Sequence, residues 1–162
     1  MNPIQRIQEW NELGGIPQQL NFEKLELYVK LIEEEHQEWK EAYLDYKANP
    51  STENLSHLLK EVADKIVVET GFTHCLGVSQ SEVLEAVNDS NYSKFPVFVD
   101  ADQVNLMVSD AICKYGYSIT SELIDYGSFR RIILRREDGK ILKPNTYKEA
   151  DLSKVIQKKN ND

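Results

Sequence analysis

Cysteine is nearly missing from this 162-residue chain: Cys75 and Cys113 stand far apart and form no Cys-x-x-Cys pair. That leaves no disulfide framework and no thiol redox motif, and the expectation is two buried, reduced thiols in a cytoplasmic protein. Long apolar runs are missing too, since none approaches the roughly 20 residues that a membrane span requires. The opening residues, Met1-Asn2-Pro3-Ile4-Gln5-Arg6, are polar and lack the apolar core of a secretory signal. Positive charge is in deficit: 19 Lys and Arg face 27 Asp and Glu, a net charge of -8. A nucleic-acid backbone or an anionic membrane is therefore excluded as the main partner, because both attract basic surfaces. A negatively charged substrate would need a bridging metal ion or a local basic patch. Internal repeats and low-complexity stretches are also absent. The reading is a soluble protein of one domain, or one domain with a small appendage, long enough to bury a core.

Helical patterns fill most of the chain up to Pro96. Pro3 suits a first helical position, and Ile4, Ile7 and Trp10 or Leu13 follow at helical spacing until Gly14-Gly15 and Pro17 stop the run. Asn21 is placed to cap a second helix, with Glu23 favourable in its first turn, and Asn49-Pro50 ends it near Lys47. Its apolar seam reads Leu25, Tyr28, Ile32, Glu35, Trp39, Ala42, Tyr46, with Glu35 standing where a Leu is expected. Ser51 or Thr52 caps a third helix that is apolar almost all round, which predicts burial on most of its sides, and Gly77 closes it. Ser79-x-x-Glu82 reads as a capping box opening a fourth helix. A further amphipathic helix is predicted over Ala101 to Tyr115. Two strands follow, Ser118–Tyr126 and Phe129–Arg136, joined by a turn at Gly127-Ser128, and Asp138-Gly139 is a hairpin signal leading into Ile141-Leu142.

Two acidic pairs stand out on the second and third helices. Glu35 and Glu38 are three residues apart, as are Glu61 and Asp64, so each pair projects from one helical face with roughly 5–6 Å between Cβ atoms. A run of charge on a helix is usually a solvated face. Here Glu35 occupies a seam position, and Glu61 and Asp64 share a face with Val68, Phe72 and Cys75. Buried carboxylates without partners are costly, so they require a cation or a large pKa shift. Antiparallel packing of the two helices across a short loop would bring the pairs face to face. A ferritin-like di-iron site needs two Glu-x-x-His units, and only Glu33-x-x-His36 is present. Oxygen-only ligands suit Mg²⁺ or Mn²⁺, with phosphate oxygens completing the shell.

Glu34-Glu35-x-x-Glu38, followed after residues 39–60 by Glu61-x-x-Asp64, resembles the signature of the all-α nucleotide pyrophosphohydrolases. That group includes MazG, dimeric dUTPase and phosphoribosyl-ATP pyrophosphohydrolase. Ser90-Asn91-Tyr92-Ser93-Lys94-Phe95 is similar to the Asn-x-x-Lys stretch that follows the acidic helices in MazG-like proteins. Asp138 to Pro144, with Tyr147 and Ala150-Asp151-Leu152, resembles the C-terminal segment of small MazG-like proteins of phages and bacteria. The resemblance covers nearly the whole chain.

What it implies is a mainly α, MazG-like antiparallel helical bundle with a small C-terminal β-hairpin element. Residues 1–96 would form the helical core with the metal site, 97–153 an extension packed on the same domain, and 154–162 a polar tail. Glu34, Glu35 and Glu38 would be catalytic, and Glu35, Glu38, Glu61 and Asp64 would hold Mg²⁺, with Mn²⁺ as a substitute. Glu34 would orient or deprotonate the attacking water or help bind an extra ion. Family members attack the α-phosphorus of a nucleoside triphosphate, releasing the monophosphate and pyrophosphate. Asn91 and Lys94 would contact phosphate or sugar, and Lys140 and Lys143 would add phosphate contacts. The bland alternatives are a helix-terminal Asn and Lys and a solvated hairpin. Trp39 and Tyr43 read as core residues in preference to base-stacking platforms. The segment from about Val97 to Ile132 is longer than a minimal unit of this family needs, so base specificity does not carry over. What phage-type relatives favour points to dGTP or GTP, although no residue here reads the base. The implied partner besides substrate is a second copy, as a homodimer or dimer of dimers, in the cytoplasm of the bacterium or of the host cell of a phage. Phosphoribosyl-ATP is the rival substrate, and a non-catalytic helical binding or assembly protein is the rival class.

Overall fold

The computed structural model describes residues 2–126 and 129–159. The chain is mainly helical, with a small two-stranded antiparallel hairpin toward its C-terminus. The turn at Gly127-Ser128 and the tail residues 160–162 lie outside the described residues. Two compact units are present, Met1–Val83 with Ser153–Asp162, and Leu84–Leu152. The division falls inside the fourth helix of the chain.

Three helices dominate the first unit, α1 (Pro3–Leu13), α2 (Phe22–Ala48) and α3 (Thr52–Cys75). Asn2 caps α1 reciprocally: its Oδ1 accepts from the Gln5 amide at 2.9 Å, and Gln5 Oε1 accepts from the Asn2 amide at 3.0 Å. Asn21 Oδ1 accepts from Lys24 N–H to start α2, and Ser51 Oγ accepts from Asn54 N–H to start α3, each satisfying an amide that the first helical turn leaves unpaired. The Asn54 side chain reaches back to the carbonyls of Asn49 and Asp45, which fixes the tight turn between α2 and α3. At the other end the Asn21 amide donates to Cys75 O at 3.0 Å. The beginning of α2 therefore lies beside the end of α3, and the two helices run antiparallel.

The seam closes on Leu25, Tyr28, Val68 and Cys75, with Ile32 and Phe72 packed against them. A polar contact threads this core. Tyr28 Oη donates to Asn11 Oδ1 at 2.6 Å, and Asn11 Nδ2 donates to Ile7 O, tying α1 to α2. His74, fully buried, donates from Nε2 to Ile16 O at 2.7 Å. One expectation for α3 is not met. Leu55, Leu59, Val62 and Ile66 form a stripe on it that is 38 to 59% exposed, because α2 and α1 cover only part of the helix.

The helix α4 (Gln80–Tyr92) runs from the first unit into the second. There α5 (Ala101–Tyr115) packs on the hairpin of β1 (Ile119–Tyr126) and β2 (Phe129–Arg136), paired from Ile119 with Arg136 to Tyr126 with Phe129. Ile132 and Leu134 point into a core with Phe98, Ala111 and Leu142. The second edge of β2 is also used: Phe98 N–H donates to Arg130 O, and Leu142 N–H donates to Leu134 O after a turn at Asp138-Gly139. Gly139 has φ +82°, a left-handed conformation that disfavours side chains with a Cβ. Cys113 is exposed, against the expectation of two buried thiols, because α5 turns Ala111 and Met107 toward the hairpin and leaves Cys113 outside. Residues 154–159, read as part of a polar tail, belong to a short helix α6 (Ser153–Lys159) that buries Val155. Among the described residues no helix is long and apolar enough to cross a membrane.

Candidate metal centre

The packing of α2 against α3 brings the acids of the two helices together. Glu35, Glu38 and Glu61 each offer a ligand atom, and these atoms lie within 4.8 Å of one another. Glu35 sits in the seam as its spacing predicts and is half-buried, Glu38 is exposed at the rim, and Glu61 is 1% exposed. The long apolar run of α3 explains the burial of Glu61, which the helix carries inward with Val68 and Cys75 on the side facing α2.

The cluster has the electrostatics of a cation site. Glu35 Oε2 and Glu61 Oε2 are buried, and neither has a hydrogen-bond partner among the described residues. An orphaned buried carboxylate oxygen costs on the order of 1–3 kcal/mol or more. Burial pushes the Glu35 carboxyl above its ordinary range, and the negative charges of Glu38, Asp64 and Glu61 push it further. Mg²⁺ and Mn²⁺ fit this donor set. Oxygen donors across an octahedral Mg²⁺ stand about 4.2 Å apart, so modest side-chain rotation closes the 4.8 Å cluster around one ion. Zinc or a di-iron pair is a poorer match, since the cluster found among the described residues consists of carboxylates alone.

Asp64, the fourth expected ligand, is engaged differently. Lys60 Nζ lies 2.8 Å from Asp64 Oδ2 and 2.9 Å from Glu61 Oε1. His57 Nε2 lies 3.0 Å from the same Glu61 oxygen. The two carboxylates hold the Lys60 ammonium well above its usual range, Asp64 contributing more. His57 and Lys60 were not singled out by the acidic motif. Their signal was the i,i+4 spacing of His57 to Glu61 and of Lys60 to Asp64.

Glu34 is exposed on α2 and lies outside the cluster. Beside the acids, Lys65 Nζ approaches His36 Nδ1 at 3.3 Å and the Trp39 ring at 4.6 Å, and Trp39 stacks with Tyr43 at 6.5 Å. Tyr43 is 45% exposed, so it is a surface residue and not the core residue expected, whereas Trp39 is half-buried. Asn91, Lys94, Lys140 and Lys143 all belong to the second unit. Lys94 Nζ donates to Asn91 Oδ1 at 2.7 Å. Ser90 and Ser93 tie the end of α4 to the Lys148 carbonyl and to Tyr147, which brings that stretch to the segment that follows Lys143. Lys143 is taken up by Glu149 at 3.2 Å and by the Tyr147 ring, and the Lys140 amide donates to Asp138. Comparison with models of known protein families and with curated proteins finds no match for this chain.

Proposed function

We propose that this protein is a Mg²⁺-dependent nucleoside triphosphate pyrophosphohydrolase that converts a (d)NTP to the (d)NMP and pyrophosphate. The observation that carries the reading is the pair of orphaned buried oxygens, Glu35 Oε2 and Glu61 Oε2, inside a three-carboxylate cluster. Acids so placed are matched by a divalent cation, and the net charge of -8 leaves a metal as the natural bridge to an anionic substrate. When bound, Mg²⁺ supplies charge neutralisation at the triphosphate and lowers the pKa of water. Glu35, Glu38, Glu61 and Asp64 are the ligands in this reading. Glu34, exposed one residue before Glu35, is the base that takes the proton of the attacking water. The resemblance of the acidic motif to the MazG-like proteins supports the same reaction, with dGTP and GTP the first substrates to try.

Chromatography of products after incubation with each common NTP and dNTP and Mg²⁺ tests the reading. Monophosphate and pyrophosphate, with no diphosphate intermediate, is the expected result. Diphosphate with orthophosphate would mean a different chemistry at these acids. Turnover of phosphoribosyl-ATP alone would move the protein to that activity.

A second copy belongs to the proposal. Leu55, Leu59, Val62 and Ile66 repeat at four, three and four residues, the spacing of a helix–helix seam, and they are exposed in the single chain. A twofold pairing buries such a stripe on both copies at once. Sedimentation equilibrium should return twice 18.7 kDa for the native chain and 18.7 kDa for Leu59→Lys. The same stripe is what favours the second reading, a non-catalytic assembly protein. A dimer without turnover or Mg²⁺-dependent stabilisation would establish that alternative.

A further inference from the structure

We infer that Lys60 is a displaceable internal cation that competes with the divalent ion for Glu61 and Asp64. The inference rests on the metal centre proposed above and names how its affinity is set. Of the four carboxylates expected to bind metal, three converge while Asp64 faces a cation supplied by the chain itself. The Lys60 ammonium bridges the pair that is three residues apart on α3, bonding Asp64 Oδ2 at 2.8 Å and Glu61 Oε1 at 2.9 Å. Both of its partners are thus residues that a metal would need.

Burial separates the two ends of this contact. The Glu61 side chain is 2% exposed and fixed, whereas the Lys60 side chain is 62% exposed. Its four-carbon stem is free to swing into solvent, while Glu61 has nowhere to go. The division of labour at Glu61 is equally informative. Oε1 takes both nitrogen neighbours, His57 Nε2 and Lys60 Nζ, and Oε2 is buried with no partner among the described residues. An ammonium presents three hydrogen-bond donors around one charge and satisfies Asp64 and one Glu61 oxygen, but it leaves the inner oxygens of Glu35 and Glu61 unmatched. A divalent ion carries twice the charge of the ammonium, and its six coordination positions are open to the inner oxygens that Lys60 leaves unmatched as well as to Asp64. Entry of the metal and exit of Lys60 are therefore one event. The displaced ammonium stays tethered at the rim, where an anionic ligand of a bound metal would meet it.

Mn²⁺ binding followed by electron paramagnetic resonance at physiological ionic strength tests this with inorganic metal alone. Lys60→Met removes the competitor and keeps the stem, and Lys60→Gln is a second variant should the first fold poorly. Lys65→Met removes a charge from the same helix at a lysine whose contacts are His36 and Trp39, and so reports the effect of net charge alone. The expected result is binding tightened about fivefold by Lys60→Met or Lys60→Gln and less than about twofold by Lys65→Met, the scale of a mostly exposed ion pair with the ligands against a screened neighbouring charge whose contacts are His36 and Trp39. Wild-type binding that Lys60→Met and Lys60→Gln leave unchanged, or that Lys65→Met tightens equally, overturns the inference and leaves the metal centre standing. No Mn²⁺ binding by the wild type or any variant overturns the metal centre and the inference with it.

Discussion

Glu38→Gln is expected to cut turnover by about 10²–10³-fold, the scale of removing one electrostatic contact to a developing charge, while the metal-free protein loses no stability, because the repulsion between Glu38 and Glu35 is relieved. Glu38 is exposed, so its carboxylate contributes little to the fold, and the amide that replaces it keeps the shape while losing the charge. Asp64→Asn should behave in the same way. Glu35→Gln should separate the two properties in the opposite sense. Activity falls as it does for Glu38, but the metal-free protein becomes more stable, with Tm higher by about 2–4 °C if about 1 kcal/mol of repulsion is removed. The reason is that Glu35 is desolvated and faces Glu38, Asp64 and Glu61, which hold its pKa above the ordinary value. A raised carboxyl pKa means that the folded state binds the proton more tightly than the unfolded chain. Its contribution favours folding at pH below the ordinary Glu range and is lost as pH rises through and above that range. Added Mg²⁺ should restore wild-type stability at neutral pH and do nothing for Glu35→Gln. Thermal melts with and without Mg²⁺, run beside the turnover assay, read both effects. Wild-type turnover in Glu38→Gln would sink the metal-site assignment.

The residues that made this site legible in the sequence are those with local signals. Asn21 and Ser51 cap α2 and α3 where their side chains predict. The alternation from Leu25 to Tyr46 marks the seam, and an acid at seam position 35 flagged the site before any packing was known. What was illegible depends on partners far away in the chain. Periodicity reports that a face of α3 is apolar, but it cannot say whether α1, α2 or a second copy covers it, and Leu55, Leu59, Val62 and Ile66 are exposed for that reason. Tyr43 has the composition of a core residue and an exposed position, because α3 meets the neighbouring face of α2. Val155 and Ile156 are two adjacent apolar residues in a short basic stretch and give no periodic signal, although Val155 is buried and anchors α6. Lys60 lies between the two. Its spacing to Asp64 is local, yet its competition for Glu61 depends on how deeply α3 carries that carboxylate.

Gly71→Ala separates local from tertiary reasoning most sharply. Helix propensity alone makes it a stabilising change of about 1 kcal/mol, since Gly71 lies in the interior of α3. The packing reverses that sign. A Cβ at Gly71 would stand 2.2 Å from Tyr28 Cε1, 2.3 Å from Cζ and 2.7 Å from the hydroxyl oxygen, all far inside van der Waals contact. The ring cannot simply step aside, for Tyr28 is 6% exposed and its hydroxyl donates to Asn11 Oδ1 at 2.6 Å. Overpacking costs about 1–3 kcal/mol, and stranding the buried Asn11 oxygen adds about 1–3 kcal/mol. Set against the propensity gain of about 1 kcal/mol, the net loss is about 1–5 kcal/mol, a fall in Tm of roughly 2–20 °C. Tyr28→Phe should lose only the hydrogen-bond part. In a Tyr28→Ala background, Gly71→Ala should cost nothing, because the atoms it strikes are gone, and the double-mutant cycle measures that coupling directly. Function should follow stability here. Tyr28 and Glu35 lie on one seam of α2, so a side chain that wedges α2 away from α3 also moves Glu35 away from Glu61. Gly71→Ala should therefore weaken Mn²⁺ binding under conditions where it remains folded, although no atom of residue 71 is a ligand. Full metal affinity in the folded variant would mean that Tyr28 yields locally and that the spacing of the acids is set elsewhere along the α2–α3 pair.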